Sequence, residues 1–268
     1  MPQLSNFQAL LFDVDRTLVD YNHEFPKGVI KALAQLNQEN FIIGACTGRA
    51  IHSMQDSVLP VFHQLDDEAF HIICSGAEIV NSQGEVFFQQ AIPAEVVRRL
   101  IKERRAGSRF LASSRFNIYL DDSHLQDYQD KPGCKFLPLS KYHDEPITLI
   151  NIHDVKPNIQ VLENFRDQLQ IKYMINSEGD DYAEVTALGV NKATGLAEWS
   201  RLTNVPVEKI IGFGDDRNDL EFLKAVGFKV AMGNAVEEIK QVANKVIGRV
   251  DEGGLSEYLL HVLTTGEL

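Results

Sequence analysis

Short apolar runs recur along this chain, separated by segments of helical period. Residues 7–12 (FQALLF), 41–46 (FIIGAC) and 71–74 (HIIC) lack the polar alternation of a half-wet strand. A run that is apolar almost throughout belongs in a sheet covered on both faces. Between the first two, residues 26–37 open on Pro26 and place Val29, Ile30, Leu33 and Leu36 at helical spacing. Residues 51–62 read as a second helix. Strand alternating with helix predicts a parallel sheet with helices packed on both sides.

The middle of the chain has a different pattern. Residues 85–88, 109–111, 117–120, 147–152, 171–175 and 182–185 read as strands, with helices at 93–104 and near 159–169. Residues 121–146 are polar, hold Pro132, Pro138 and Pro146, and read as weakly structured. Strand–helix alternation returns afterwards, with strands at 209–213, 228–231 and 245–247. Helices at 192–202, 219–225, 236–242 and 255–263 separate and close them. The expected fold class is α/β: a doubly wound parallel-sheet core with an inserted α+β cap. The core takes residues 1–81 and 185–268, and the insertion takes 82–184.

Composition narrows the partners. The 268 residues carry a net charge of −12, which speaks against a nucleic acid polymer or an anionic membrane surface. A small anion is still allowed, because one basic pocket suffices for it. Three cysteines make no disulfide framework, and the first residues lack the pattern of a signal peptide. No apolar stretch reaches the length of a membrane span. The chain reads as cytoplasmic, a monomer or homodimer.

Ligands of doubly wound sheets bind beyond the carboxyl ends of the strands. After the first strand comes Asp13-Val14-Asp15-Arg16-Thr17, and after the second Thr47-Gly48-Arg49. The later strand at 209–213 leads into Gly214-Asp215-Asp216-Arg217-Asn218-Asp219, and Lys192 heads the helix before it. Asp13 and Asp15 can approach one point past the sheet edge, where they repel unless a cation joins them. A hard divalent ion such as Mg²⁺ suits those oxygens, and Asp215 can add a third. A carboxylate can also attack phosphorus. Thr47 and Gly48 offer a hydroxyl and a close amide for a phosphate, and Lys192 a point charge. Each motif alone reads as well as a turn or a helix cap. Their joint position on one sheet edge carries the argument. The histidines form no His-x-His or His-x-x-x-His pair, so zinc has no support.

In this order the motifs resemble those of haloacid dehalogenase (HAD) superfamily phosphatases of the Cof type, with a C2B cap. Besides the segments above, Ser75-Gly76-Ala77, Gly189-Val190-Asn191-Lys192, Val230 to Ala235 and Asp251-Glu252-Gly253-Gly254 match, so the resemblance spans nearly the whole chain. It implies a HAD-like Rossmannoid core and a Mg²⁺-dependent phosphomonoester hydrolase with an aspartyl-phosphate intermediate. Asp13 would be the nucleophile and a metal ligand. Asp15 would bind the metal through its carbonyl, and its side chain would act as acid and then base. Asp215 would ligate the metal, with Asp219 supporting it. Val14, Thr47, Gly48, Lys192 and Asn218 would hold the phosphate. The implied substrate is a small phosphorylated metabolite: a sugar phosphate, a nucleotide, or a cofactor such as pyridoxal phosphate or flavin mononucleotide. A phosphotransferase or phosphomutase on the same scaffold, or a phosphate-binding module without turnover, are the alternatives.

One departure is Arg16, where the family usually has Gly. Glycine is favoured where the backbone needs positive φ. Arg16 is expected to face solvent or pair with an acidic neighbour, with contact to a distal substrate anion as the other reading. His71 and Trp199 are expected in the core.

Overall fold

The run Ala9–Phe12 is buried along its whole length, which a strand achieves in the interior of a sheet covered on both faces. The computed structural model describes residues 2–130, 132–153, 155–175 and 181–268. Its strands are β1 (Ala9–Phe12), β2 (Ile42–Ala45), β3 (Phe70–Ile73), β4 (Glu78–Asn81), β5 (Val86–Gln89), β6 (Phe110–Ser113) and β7 (Asn117–Leu120). They continue with β8 (Lys135–Pro138), β9 (Leu149–His153), β10 (Leu169–Ile175), β11 (Asp181–Ala187), β12 (Ile210–Gly214), β13 (Phe228–Ala231) and β14 (Lys245–Val246). The α-helices are α1 (Val29–Gln38), α2 (Ile51–Gln55), α3 (Leu59–Leu65), α4 (Ala94–Glu103), α5 (Ile159–Glu163), α6 (Lys192–Thr203), α7 (Leu220–Ala225), α8 (Glu237–Val242) and α9 (Gly254–Thr265).

The core sheet is parallel, in the order β14-β13-β12-β1-β2. From β1 the chain moves outward to β2, and from β12 it moves the other way to β13. The order therefore reverses between β1 and β12, and a crevice opens past their carboxyl ends. Phe12 and Phe213 stack across this pair at 4.3 Å, so an apolar floor lies directly beneath it. Beyond β2 the order departs from expectation. β3 touches β2 through a single parallel bridge, Cys46 to Ile72, and pairs instead with β4 in an antiparallel β3-β4-β5 sheet. His71 and Trp199 are fully buried, as expected. The His71 ring accepts from the Ala45 amide, and Trp199 donates to the Phe70 carbonyl at 2.8 Å.

A second sheet, β10-β11-β9-β6-β7-β8, comes from the middle of the chain. It is antiparallel except for the parallel pair β7–β8. One face buries Phe110, Ala112, Ile150, Ile152 and Val185 in the same apolar cluster as Val96, Val97 and Leu100 of α4. Strand β8 lies inside the segment read as weakly structured. The strand's one proline, Pro138, is its last residue, so the ladder keeps the donors it needs. The helix expected over 51–62 is broken into α2 and α3, and that near 159–169 stops at Glu163.

Candidate active site

Strand β1 delivers Asp13 to the crevice, and the Asp13 amide donates to the Phe213 carbonyl at 2.9 Å. Strand β12 delivers Asp215, and the turn after it brings back Asp219. The Asp219 carboxylate accepts from the Asp215 and Asp216 amides at 3.0 and 3.2 Å. Gly214 permits that return, because a Cβ there would lie 2.7 Å from the Asp219 carboxyl carbon. Oxygens of Asp13, Asp215 and Asp219 all lie within 4.8 Å of one another, and all three residues are buried.

Lys192 enters from the first turn of α6. The Asn191 side chain caps that helix by accepting from the Ala193 and Thr194 amides. The Lys192 Nζ donates to Asp13 Oδ1 and Asp219 Oδ1, each at 2.6 Å, and the side chain has no exposed surface. Burial alone would lower the Lys192 pKa, but Asp13 and Asp219 outweigh it and hold the ammonium charged. The carboxylates outnumber it. Burial, with Asp219 and Asp15 adding repulsion against the pull of Lys192, pushes Asp13 up to about 7. Burial and the charges of Asp13 and Asp219 push Asp215 well above the usual carboxylate range. Buried hard oxygen donors carrying uncompensated negative charge fit a divalent cation.

The rim holds two further ion pairs. Arg49 grips Asp15 with two hydrogen bonds, Nη2 to Oδ1 at 2.6 Å and Nε to Oδ2 at 2.9 Å. Burial pushes the Asp15 carboxyl up, but Arg49, with His23 beside it, more than offsets this and holds it below its ordinary value. Arg16 sits at φ 59°, in the left-handed region where glycine is normally preferred. Its guanidinium reaches Asp216 at 2.9 Å and Asp215 at 3.4 Å, contacts that oppose the backbone cost. Thr47 is buried and its hydroxyl accepts from the Arg49 amide at 3.1 Å. Among the described residues, neither the Val14 nor the Gly48 amide donates to a backbone carbonyl.

A cavity of about 500 Å³ lies over this cluster, a size suited to a small ligand. Asp13, Asp15, Thr47, Gly48, Asp215 and Asn218 line its core side, and residues of the second sheet line the other. The two sides are tied by Ser75, whose hydroxyl donates to Glu184 of β11 at 2.7 Å. Gly48 fits beneath that bond: a Cβ there would lie 2.7 Å from a Glu184 oxygen.

A sequence profile of haloacid dehalogenase-like hydrolases matches residues 10–259. The chain belongs to the haloacid dehalogenase-like hydrolases. It is 25% identical over 261 residues to 5-amino-6-(5-phospho-D-ribitylamino)uracil phosphatase YitU of Bacillus subtilis, covering 93% of this chain and 95% of that one. It is 24% identical to an HMP-PP phosphatase of Yersinia pseudotuberculosis, covering 98% and 97%. A solved HAD-superfamily phosphatase from Bacteroides thetaiotaomicron aligns at a TM-score of 0.78, 26% identity and 97% of both chains. With such relatives, the family resemblance read from the motifs holds, and the chain is an enzyme of the phosphomonoester-hydrolysing class. Among the described residues no helix is long and apolar enough to cross a membrane.

Within this HAD-family framework, the structure gives particular contacts to three residues of the expected site. Lys192 lies against Asp13 and Asp219, which take two of the three donors of its ammonium. Asp219, expected as support, has an oxygen within 4.8 Å of oxygens of Asp13 and Asp215, and its carboxylate accepts from Lys192 and two backbone amides. The Asp15 side chain is turned to Arg49, so it is held deprotonated, opposite to the raised pKa an acid needs. Arg16 takes the acidic-neighbour reading. In the sequence Arg49 and Ser75 stand only as parts of motifs, and Glu184 only as part of a strand. Their position beside Asp15 and Gly48 was the signal, but the pairings are tertiary.

Proposed function

We propose that the chain is a Mg²⁺-dependent hydrolase of small phosphomonoesters, acting through an aspartyl-phosphate on Asp13, with residues 82–184 as its cap. The observation that carries this reading is the buried trio Asp13, Asp215 and Asp219 beneath the cavity, with Lys192 bound to Asp13 and Asp219. Lys192 binds one oxygen of Asp13, which fixes the carboxylate and leaves its second oxygen for attack on phosphorus. The P–O bond to the leaving group then breaks, and the departing oxygen takes up a proton. Thr47, Asn218 and the Val14 and Gly48 amides hold the phosphate oxygens. A cation held by Asp13, Asp215, Asp219 and the Asp15 carbonyl would neutralise charge on the transferring group.

Asp15 serves the two halves unequally. As a carboxylate on Arg49 it is ready to accept a proton from the water that hydrolyses the phosphoenzyme. To protonate the leaving oxygen it must first leave Arg49, whose charge otherwise keeps it ionised, and take up a proton from solvent; the proton it later accepts from the hydrolytic water restores the balance. Release of that pair is therefore a step of the cycle. The three cysteines are buried thiols, in keeping with a reducing cytoplasm.

The test is phosphate release from a panel of small monoesters with Mg²⁺, with EDTA, and with Asp13→Asn. Release that depends on Mg²⁺ and on Asp13 is expected. No release from any ester by the folded protein, a simple alkyl phosphate included, overturns the proposal. Faster transfer to an added alcohol than to water would reassign it as a phosphotransferase.

A further inference from the structure

Two cavities meet at Arg16. One is the catalytic cavity. The other, of about 430 Å³, takes Val155, Ile159 and Tyr173 from the middle of the chain and Val236 from the core. Arg16, Asp216 and Met174 line both, so these three form the partition. Met174 belongs to β10, the edge strand of the second sheet, and its cross-strand partner Tyr182 lines the catalytic side. Tyr173, one residue earlier, points to the opposite face of that strand and lines the second cavity. Arg16 and Asp216 close the partition from the core, on the turns after β1 and β12.

The Arg16 side chain is fixed there. Its guanidinium spans Asp215 at 3.4 Å and Asp216 at 2.9 Å, and its carbonyl accepts from the Asn234 amide group at 2.9 Å. Swinging it aside would strip a partner from Asp215, which is buried, and an unpaired buried charge is costly. The second cavity is apolar behind this pair. Val155 and Met174 are buried, while Ile159 and Tyr173 keep apolar surface open to it. The charges on its lining are engaged, Lys156 with Asp181 at 3.3 Å and Arg217 with Glu238 at 2.8 Å. The Tyr173 hydroxyl donates to Glu163 at 2.9 Å. An apolar chain would gain from burial in this space. To reach it from the catalytic side, it would have to part Arg16 from its carboxylates.

We propose that Arg16 ends the catalytic cavity and thereby sets the greatest length of an apolar leaving group. A short group fits on the near side of the partition, and a longer one meets the Arg16–Asp216 pair. The inference rests on the phosphatase reading and adds a specificity-determining residue to it. Arg16 lies at φ 59°, a conformation glycine adopts readily, so Arg16→Gly removes the wall and keeps the turn.

The experiment compares kcat/KM for ethyl, butyl, hexyl and octyl phosphate at saturating Mg²⁺, so that altered metal affinity at Asp215 drops out of the ratios. Each methylene newly withdrawn from water is worth about fourfold. Arg16→Gly is therefore expected to raise the octyl-to-ethyl ratio at least tenfold over wild type. Ile159→Asp, which puts a carboxylate in the second cavity from an exposed position, is expected to cancel that gain in the Arg16→Gly background. In the wild-type background it is expected to leave the ratio unchanged. An unchanged ratio in Arg16→Gly overturns the proposal, as does a gain that survives Ile159→Asp. A ratio lowered by Ile159→Asp alone overturns it too, because the cavities would then already communicate. If no ester is hydrolysed, ethyl phosphate included, the phosphatase reading has failed. The wall is then judged separately by calorimetry, from the ratio of octylphosphonate to ethylphosphonate affinity in the same four proteins, and failure of both phosphonates to bind overturns it.

Discussion

Replacing Lys192 with Met removes the fully buried ammonium from the carboxylate cluster while roughly keeping its volume. The Nζ bonds two buried carboxylates at 2.6 Å each. Deleting one partner of a buried ion pair typically costs about 3–5 kcal/mol. Proton uptake caps the loss: protonating a carboxylate of ordinary pKa near 4 at pH 8 costs about 5 kcal/mol. Urea unfolding at pH 8 in EDTA should therefore show Lys192→Met less stable than wild type by about 3–5 kcal/mol. Where the variant takes up one more proton on folding than the wild type, the gap narrows by about 1.4 kcal/mol per unit of acidification. Millimolar Mg²⁺ should narrow it too, because a cluster without its ammonium binds the ion more tightly and binding stabilises the folded state. A variant within about 1 kcal/mol of wild type at pH 8 without metal would refute this account of the site's electrostatics.

Four further outcomes are expected. Asp13→Asn should reduce phosphate release to background in an enzyme that still unfolds cooperatively, checked by circular dichroism. Burial lowers His71 to about 3 from its ordinary 6.5, so its contribution is present above pH 6.5 and lost as pH falls toward 3. Wild type should therefore lose about 2 kcal/mol relative to His71→Asn between pH 7.5 and pH 5 in urea melts, and parallel melts would refute this. Gly48→Ala should push Glu184 off Ser75, costing about 1–2 kcal/mol and raising KM for every ester. Arg16→Gly should tighten Mg²⁺ binding about tenfold by calorimetry, because the guanidinium no longer competes for Asp215.

How much of this was legible in the sequence differs by level. The strand exits were readable, because apolar runs such as ALLF and IIGFG end abruptly in acidic residues. The cluster Asp13, Asp215, Asp219 and Lys192 followed from placing those exits on one sheet edge. The orientation of each side chain did not follow. Whether Lys192 faces the phosphate or lies behind Asp13 depends on the depth of α6 against the sheet, set by packing that no local pattern reports. The Asp15–Arg49 pair joins residues 34 apart, and nothing in either motif specifies it. Strand β8 was hidden because its four residues sit among polar ones and end in proline. That omission also hid Phe136, which stacks on Tyr128 at the cavity lining.

The charge of the site gives the departure at Arg16 a physical sense. Five carboxylates gather at the sheet edge: Asp13, Asp15, Asp215, Asp216 and Asp219. Three cations engage them: Lys192 with Asp13 and Asp219, Arg49 with Asp15, and Arg16 with Asp215 and Asp216. Fully ionised, the set keeps two negative charges, the amount one divalent cation neutralises. With glycine at position 16 the excess would be three, drawing the cation more strongly and leaving Asp216 unpaired. Arg16 accepts a left-handed backbone, which costs roughly 1–2 kcal/mol for a residue with a Cβ, and in return sets that balance. The same engagement removes it as a receptor for a second anionic group on the substrate. The residue that departs from the family pattern is thus tied by charge to the carboxylates of the sheet edge, and Arg16→Gly is the variant that isolates its effect.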